Sequence, residues 1–334
     1  MKYVKSLNNA LHEMMAENNQ VILLGEDIAD PYGGAFKVSK GLSTKFPNQV
    51  ISTPISEQAI IGSAIGMAMK GMKPIVEIMF GDFITLCMDQ IINHATKYNW
   101  MYNNQVNVPL VIRTSMGGGR GYGPTHSQTL ENLFMSVPNL KIAAPSIFHD
   151  PGEILKKCIL ESNDPILFIE SKISYPKELI LNDTYDILNI RREKGLNYQI
   201  IYLNVYPKEQ PDVTIITYGR MGEIAAQAAI DLFMEEEILV EVIITCPMKP
   251  FPLKIILPNI MKSGRILTLE EGFSYGGWGA EACYQIQSEA LLTLKNPIKV
   301  IGAKESPIAN SILLENEILP SVDLVKKEVK KLLK

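Results

Sequence analysis

Cysteine is scarce in this sequence. Its 334 residues include four, at positions 87, 158, 246 and 283. No CxxC pair or Cys/His ligand cluster can be assembled from that spacing, which excludes a zinc framework or a disulfide scaffold. Reduced thiols in a cytoplasmic protein are the reading that remains. Histidine is equally sparse. His12, His94, His126 and His149 are the whole supply, so few side chains can carry protons near neutral pH. No apolar run approaches the ~20 residues that span a bilayer; the most apolar stretch is AIIGSAIGMAM over 59–69. The N-terminus is amphipathic, with Val4, Leu7, Leu11 and Met14 or Met15 on one face. It has no continuous apolar segment of the kind a signal peptide needs. A basic surplus is missing too: formal net charge is −4, which argues against a nucleic-acid partner. Finally, MGGGRGYG over 116–123 meets the GxGxxG pattern in no register, and no GxxxxGK[ST] occurs. A nicotinamide dehydrogenase and a P-loop NTPase are thereby set aside.

What is present is core-forming material. Hydrophobic residues make up 46% and charged residues 20% of the chain, and at ~150 residues per domain the length predicts two domains. Short Val/Ile/Leu-rich runs at 21–25, 74–80, 108–114, 140–145 and 165–170 read as buried strands, with helices expected over 57–71, 82–103 and 149–162. That alternation predicts an α/β domain around a mostly parallel sheet. From 172 to about 211 charged and Pro-bearing turns predominate, suggesting a long connection with a hairpin. A second alternation then runs through 213–219, 238–244, 265–272 and 297–302, with helices at 221–236, 253–262 and 277–291. The expected domains are 1–190 and 191–334. The closing KKEVKKLLK reads as the solvated face of a last helix.

Three segments could carry chemistry. In STPISEQAIIGSAIGMAMKG (52–71), Ser56 is placed as an N-cap and Glu57 opens a helix apolar nearly all round. Gly62 and Gly66 cost ~1 kcal/mol each against alanine in a helix, so close approach of another helix or chain is expected. Glu57 is either a buried functional carboxyl or a surface residue complementing the helix dipole. In PIVEIMFGDFITLCMDQIINHATKYNW (74–100) a strand runs through Gly81 into a helix, with Phe80 and Phe83 beside the turn as ring-stacking or plain core residues. In RTSMGGGRGYGPTHSQTLENLF (113–134), five glycines in the seven residues 117–123 imply a backbone that comes close to something. His126 follows, just before an expected helix capped by Ser127. It is either an acid/base group or a structural histidine.

The order and spacing of these segments matter more than any one of them. The stretches 24–47, 53–83, 89–97 and 109–131, with ITYGRM (216–221) and LEEGFSYGGWGAE (269–281), resemble the β subunits of the thiamine-diphosphate-dependent E1 components of 2-oxoacid dehydrogenases, a family that includes pyruvate dehydrogenase E1 β. The resemblance covers nearly the whole chain. It implies a transketolase-like pyrimidine-binding domain followed by a transketolase C-terminal-type domain. The family's glutamate that bonds the cofactor's aminopyrimidine falls on Glu57, and the aromatic packed on that ring falls on Phe83. Ile55 and Met79 line the same pocket. The catalytic histidine of the family's HSQ motif falls on His126. Implied function is oxidative decarboxylation of pyruvate or a related 2-oxo acid, with acyl transfer to the lipoyl group of an E2 partner.

The family holds the cofactor's diphosphate through Mg²⁺ with a GDG motif followed after about thirty residues by Asn. Here Gly81-Asp82 is followed by Phe83, so no metal ligand is expected in this chain. The resemblance therefore implies a separate E1 α subunit that supplies the Mg²⁺ site, in an α₂β₂ heterotetramer whose active site lies between chains. The chain also departs from the pattern. After VEVI it reads Ile244-Thr245-Cys246-Pro247 where the family commonly has Asp-Leu-Arg-Thr, and KPFP follows at 249–252. These changes bear on docking to a lipoyl-bearing partner. They leave open a thiamine-dependent C–C ligase, acyloin-type or biosynthetic acyl-transfer subunit outside a lipoyl complex.

Overall fold

The computed structural model describes residues 1–195 and 198–334, which divide into two compact units. The first comprises Met1–Gly117, Leu133–Ala143 and Asp150–Leu179. Its strands are β1 (Val21–Gly25), β2 (Val50–Ser52), β3 (Lys73–Ile78), β4 (Val111–Met116), β5 (Lys141–Ala143) and β6 (Ile166–Ser171). They lie in the order β5-β6-β4-β3-β1-β2 with every neighbouring pair parallel. Both β1 and β4 are buried at all positions, as strands covered on two faces must be.

Helices supply that cover. The helix Tyr3–Glu17 buries Leu7, Leu11, Met14 and Met15 as the amphipathic pattern requires, with Tyr3 rather than Val4 completing the face. It packs on the helix Pro151–Glu161. There Asp150 caps the amides of Gly152 and Glu153 at 3.1 and 3.3 Å, and Pro at the first position loses no hydrogen bond. A Cβ on Gly152 would lie 2.5 Å from the Ser6 carbonyl oxygen, so the two helices touch through glycine.

The second unit comprises Gly118–Asn132, Ala144–His149 and Ile180–Lys334. It contains β7 (Thr184–Tyr185), β8 (Leu188–Lys194), β9 (Gln199–Asn204), β10 (Val213–Tyr218), β11 (Val240–Thr245), β12 (Pro247–Lys249), β13 (Ile266–Phe273) and β14 (Lys299–Ala303). Its sheet has the order β14-β13-β10-β11-β9-β8-β7. The four strands from β14 to β11 are parallel, whereas β9, β8 and β7 join antiparallel. The sheet is thus mixed, because the turn-rich connection contributes three strands of its own. The last helix, Val322–Leu332, buries Val325 and Val329 and points Lys326 and Lys330 at Glu235 and Glu236.

One expected element breaks up. In place of a helix over 82–103 the chain forms a 3₁₀ turn (Gly81–Cys87), a π turn (Gln90–Ala95) and one α turn (Tyr98–Met101). Thr96 bonds back through its hydroxyl to the Ile92 carbonyl at 2.9 Å, a contact that disturbs regular helix. The left-handed residues Asn103 and Asn104 then end the segment.

Candidate active site

In the first unit, β1 is followed by β2 on one side, and the chain then crosses back to lay β3 on the other. The strand order therefore reverses between β1 and β3, and a parallel sheet offers its ligand crevice at the carboxyl ends of such strands. The register pairs Gly25 with Glu77 and with Ser52. Glu26, the 53–57 segment and Met79 thus leave the sheet at the same end.

Four of the five residues singled out from the sequence gather there. Glu57 opens the helix Glu57–Met69, which packs against β3 and the Gly81–Cys87 turn that carries Phe83. The residue is buried, and no hydrogen bond among the described residues reaches its carboxyl group. Ser56 occupies the N-cap position but makes no side-chain cap bond. Met79 and Phe83 are half-buried, and Ile55 stands at the rim, 83% exposed.

Two neighbours were not foreseen. Glu26 is buried, and its Oε1 has no partner among the described residues. Burial first, then the charge of Glu57, raises the Glu26 carboxyl above its ordinary range. The Cys87 thiol is pushed up to about 12 by burial and by Glu57, so it is inert. A buried Glu following a Gly at a strand end was the available signal for Glu26, and it is a weak one.

The wall behind Phe83 is braced by charge. Phe83 meets the Phe80 ring edge-on at 5.9 Å, and Phe80 meets Phe36 at 5.7 Å. Phe36 stacks on Tyr175 at 4.9 Å, whose hydroxyl donates to Glu170 at 2.7 Å. Glu170 takes both Nε and Nη2 of Arg113, at 2.7 and 2.9 Å, and Glu77 takes Nη1 at 2.8 Å. Arg113 and Glu170 are 1% exposed. A bidentate pair with its remaining donor also used is the arrangement that makes a buried ion pair tolerable. Gly81 has no room for a side chain, since a Cβ would lie 2.3 Å from the Met116 Cγ.

His126 belongs to the second unit. The expected helix after it does not form: the next helical turn starts at Asn132, and the buried Ser127 hydroxyl caps nothing and has no partner. The His126 amide closes a turn onto the Gly123 carbonyl at 3.3 Å, and its Nδ1 lies 3.0 Å from the Thr125 hydroxyl. The glycine loop before it is bound by carboxylates. Glu271 accepts from the Gly118 amide at 2.8 Å, and Glu315 from those of Gly119 and Gly121 at 2.8 and 3.0 Å.

Nearby, Glu131 is held up at about 7, chiefly by burial, while accepting from the Tyr218 hydroxyl. Glu270 is held at about 8 by burial and by Glu131, and it caps the amides of Trp278 and Gly279 at 2.8 and 3.0 Å. None of these carboxyls was picked out by local reading, because their partners are distant in sequence. A groove of about 590 Å³ lies beside the segment, lined by Pro124, Gln128, Phe273, Tyr275 and Glu305 among others. His149, by contrast, is structural. It accepts from the Ser146 amide at 3.1 Å, lies 3.2 Å from the Gln199 carbonyl, and burial lowers it to about 3. Residues 244–247, where the sequence departs from the family run, are buried in and after β11 and present no docking surface.

Residues 1–178 match the model of the transketolase pyrimidine-binding domain, and 204–325 that of the transketolase C-terminal domain. The chain is 34% identical over 332 residues to pyruvate dehydrogenase E1 component subunit beta-2, mitochondrial, of Oryza sativa subsp. japonica, covering 98% of this chain and 85% of that one. It is 32% identical to the pyruvate dehydrogenase E1 component subunit beta of Rickettsia bellii, covering 98% and 97%. To the acetoin:2,6-dichlorophenolindophenol oxidoreductase subunit beta of Cupriavidus necator it is 32% identical, covering 98% and 96%. A solved structure described as split gene transketolase, inactive beta4 tetramer, shares the fold with a TM-score of 0.73 at 21% identity, covering 100% of this chain and 98% of that one.

Proposed function

The chain belongs to the transketolase-like family of E1 β subunits, and from that premise we propose that it is the pyrimidine-binding β subunit of a thiamine-diphosphate-dependent 2-oxoacid dehydrogenase. The observation that carries this reading is Glu57: a residue only 7% exposed, with no hydrogen-bond donor to its carboxyl among the described residues, at the end of the sheet where the strand order reverses. A cofactor ring nitrogen is the kind of partner such a group lacks. When bound, thiamine diphosphate supplies the carbon nucleophile that attacks the keto carbon and takes up the electrons left by carbon dioxide.

Within that scheme Glu57 holds a proton at the far nitrogen of the aminopyrimidine. A neighbouring carboxyl supports this, because like charges disfavour ionisation of both groups, and Glu26 is itself raised by burial and by Glu57. Phe83, braced through Phe80, offers a ring face, with the half-buried Met79 beside it and Ile55 at the exposed rim. His126 gives and takes protons as the acyl group passes to its acceptor. The diphosphate and Mg²⁺ fall to an E1 α subunit. Among the described residues there is no group of three or more His, Cys, Asp or Glu side chains that could hold a metal ion.

The outer face of the helix Glu57–Met69 supports an α₂β₂ assembly. Gln58, Ala59, Gly62, Ser63 and Gly66 are exposed, and nothing lies within 4 Å of a Cβ at either glycine. The close approach that those glycines imply is therefore left to another chain. We place the protein in the cytoplasm, with residues 1–190 as its pyrimidine half and pyruvate or a related 2-oxo acid as substrate. A lipoyl group on an E2 partner is the acceptor. The acetoin-type relative supports a second reading, in which the same site serves a different substrate.

Calorimetric titration with thiamine diphosphate and Mg²⁺ tests the division of labour. The chain alone should bind weakly or not at all, and the chain purified with its α subunit should bind at micromolar concentrations or below. Micromolar binding by the chain alone would overturn the proposal.

A further inference from the structure

The loop between β4 and His126 has no regular structure, yet its amides are tightly claimed. The Gly118 amide donates to Glu271, 153 residues away, and those of Gly119 and Gly121 donate to the two oxygens of Glu315, 196 and 194 residues away. Glu315 is 0% exposed and sits on the short helix Ile312–Ile318. Gly119 and Gly121 have φ of 90° and 66°, the left-handed conformation that turns alternate N–H groups toward one anion. The glycines are also needed sterically. A Cβ on Gly118 would lie 2.8 Å from Glu315 Oε1, and one on Gly121 would lie 2.9 Å from the Asn310 carbonyl oxygen. The close approach implied by the five glycines is thus made by segment 310–319.

We propose that Glu315 is a positioning residue for His126. It holds the loop as a bidentate acceptor, so that the histidine, five residues beyond Gly121, is presented in one place. Charge-assisted bonds to backbone amides suit this task, because they are short and strong and leave the carboxylate nothing else to do. The functional half of the inference rests on the role proposed above for His126. The tether itself stands on geometry within one unit.

The experiment compares the full-length parent chain with Glu315→Gln, both labelled at histidine. Glutamine has one acceptor oxygen, and its amide nitrogen would face the second loop N–H. His126 should shift or broaden in the NMR spectrum while His12, His94 and His149 stay in place, and amide exchange over 118–121 should speed up by about tenfold or more. In the assembly with the α subunit, kcat for acyl transfer should fall on the order of tenfold to a hundredfold. Half-saturation by thiamine diphosphate should stay within about twofold. A purely structural role would move all four histidines or the cofactor affinity.

Gly121→Ala displaces the loop from the Asn310 side with Glu315 intact, and it should reproduce the His126 shift if Glu315→Gln fails to fold. The proposal is overturned if His126 and the loop exchange are unchanged in the folded variants, or if both change while turnover does not. Should the parent assembly bind no thiamine diphosphate, the thiamine reading fails separately, and the spectra alone decide the tether.

Discussion

Glu131→Gln should make the protein more stable at alkaline pH. Glu131 is 1% exposed, its Oε1 accepts from the Tyr218 hydroxyl, and its Oε2 is buried without a partner. Burial raises the carboxyl from 4.5 to about 7, with the charge of Glu271 adding to the effect. Between those two values the folded chain keeps a proton that the unfolded chain has lost. The stability this group contributes is therefore complete below pH 4.5 and is lost as pH rises through 7. A displacement of that size corresponds to on the order of 3 kcal/mol. Glu270, held at about 8 and facing Glu131, adds in the same direction over a wider window.

Glutamine keeps the shape and an acceptor for Tyr218, and like the protonated carboxyl it is uncharged, although its amide brings two N–H donors where the carboxyl has one O–H. Only the ionised carboxylate of the parent carries a charge that the variant lacks. The variant should match the parent at pH 5 and melt higher at pH 8, by about 2–4 °C per kcal/mol for a domain of this size. Thermal melts across pH 5–8.5 can be followed by near-UV circular dichroism of Trp278, which packs edge-on against Tyr218 at 5.0 Å. A variant that melts lower at every pH, or a gap that does not vary with pH, would refute the argument.

Arg113→Met should cost about 3–5 kcal/mol in urea unfolding, because Glu77 and Glu170 would be left buried without their cation; a loss under about 1 kcal/mol would mean the cluster is not holding the sheet. His126→Ala should lower acyl transfer by about 10²–10⁴-fold with cofactor affinity unchanged. Normal turnover would end that assignment. His149, held at about 3 by burial, should show no titration between pH 5 and 8 in its ring NMR signals, and a midpoint in that range would contradict its structural role.

Much of the scaffold was legible because it follows local periodicity. The strand Val21–Gly25 and the helix Met221–Glu236 lie where the apolar pattern placed them. What local reading missed depends on distant partners. The helix expected after His126 starts only at Asn132, and the loop before it takes its shape from Glu271 and Glu315; no pattern near residue 120 announces a carboxylate nearly two hundred residues on. The helix Glu57–Met69 reads as apolar nearly all round, yet its Gly62 and Gly66 face is exposed, with nothing within 4 Å of a Cβ at either glycine. Glu57 itself was legible as an ionisable residue at the head of an apolar helix. That it has no donor came only from the three-dimensional arrangement.

The central claim is that Glu57 activates the cofactor. Its most direct measurement is deuterium exchange at C2 of thiamine diphosphate in the assembly with the α subunit, read by NMR after acid quench, for the parent and Glu57→Gln. The amide is nearly isosteric, so the fold and the packing at the helix mouth should survive, but it cannot share an acidic proton with the ring nitrogen. The account predicts that exchange in the variant falls by about 10²-fold or more. Exchange as fast as in the parent would show that Glu57 only complements the helix dipole, and the functional reading built on it would fall.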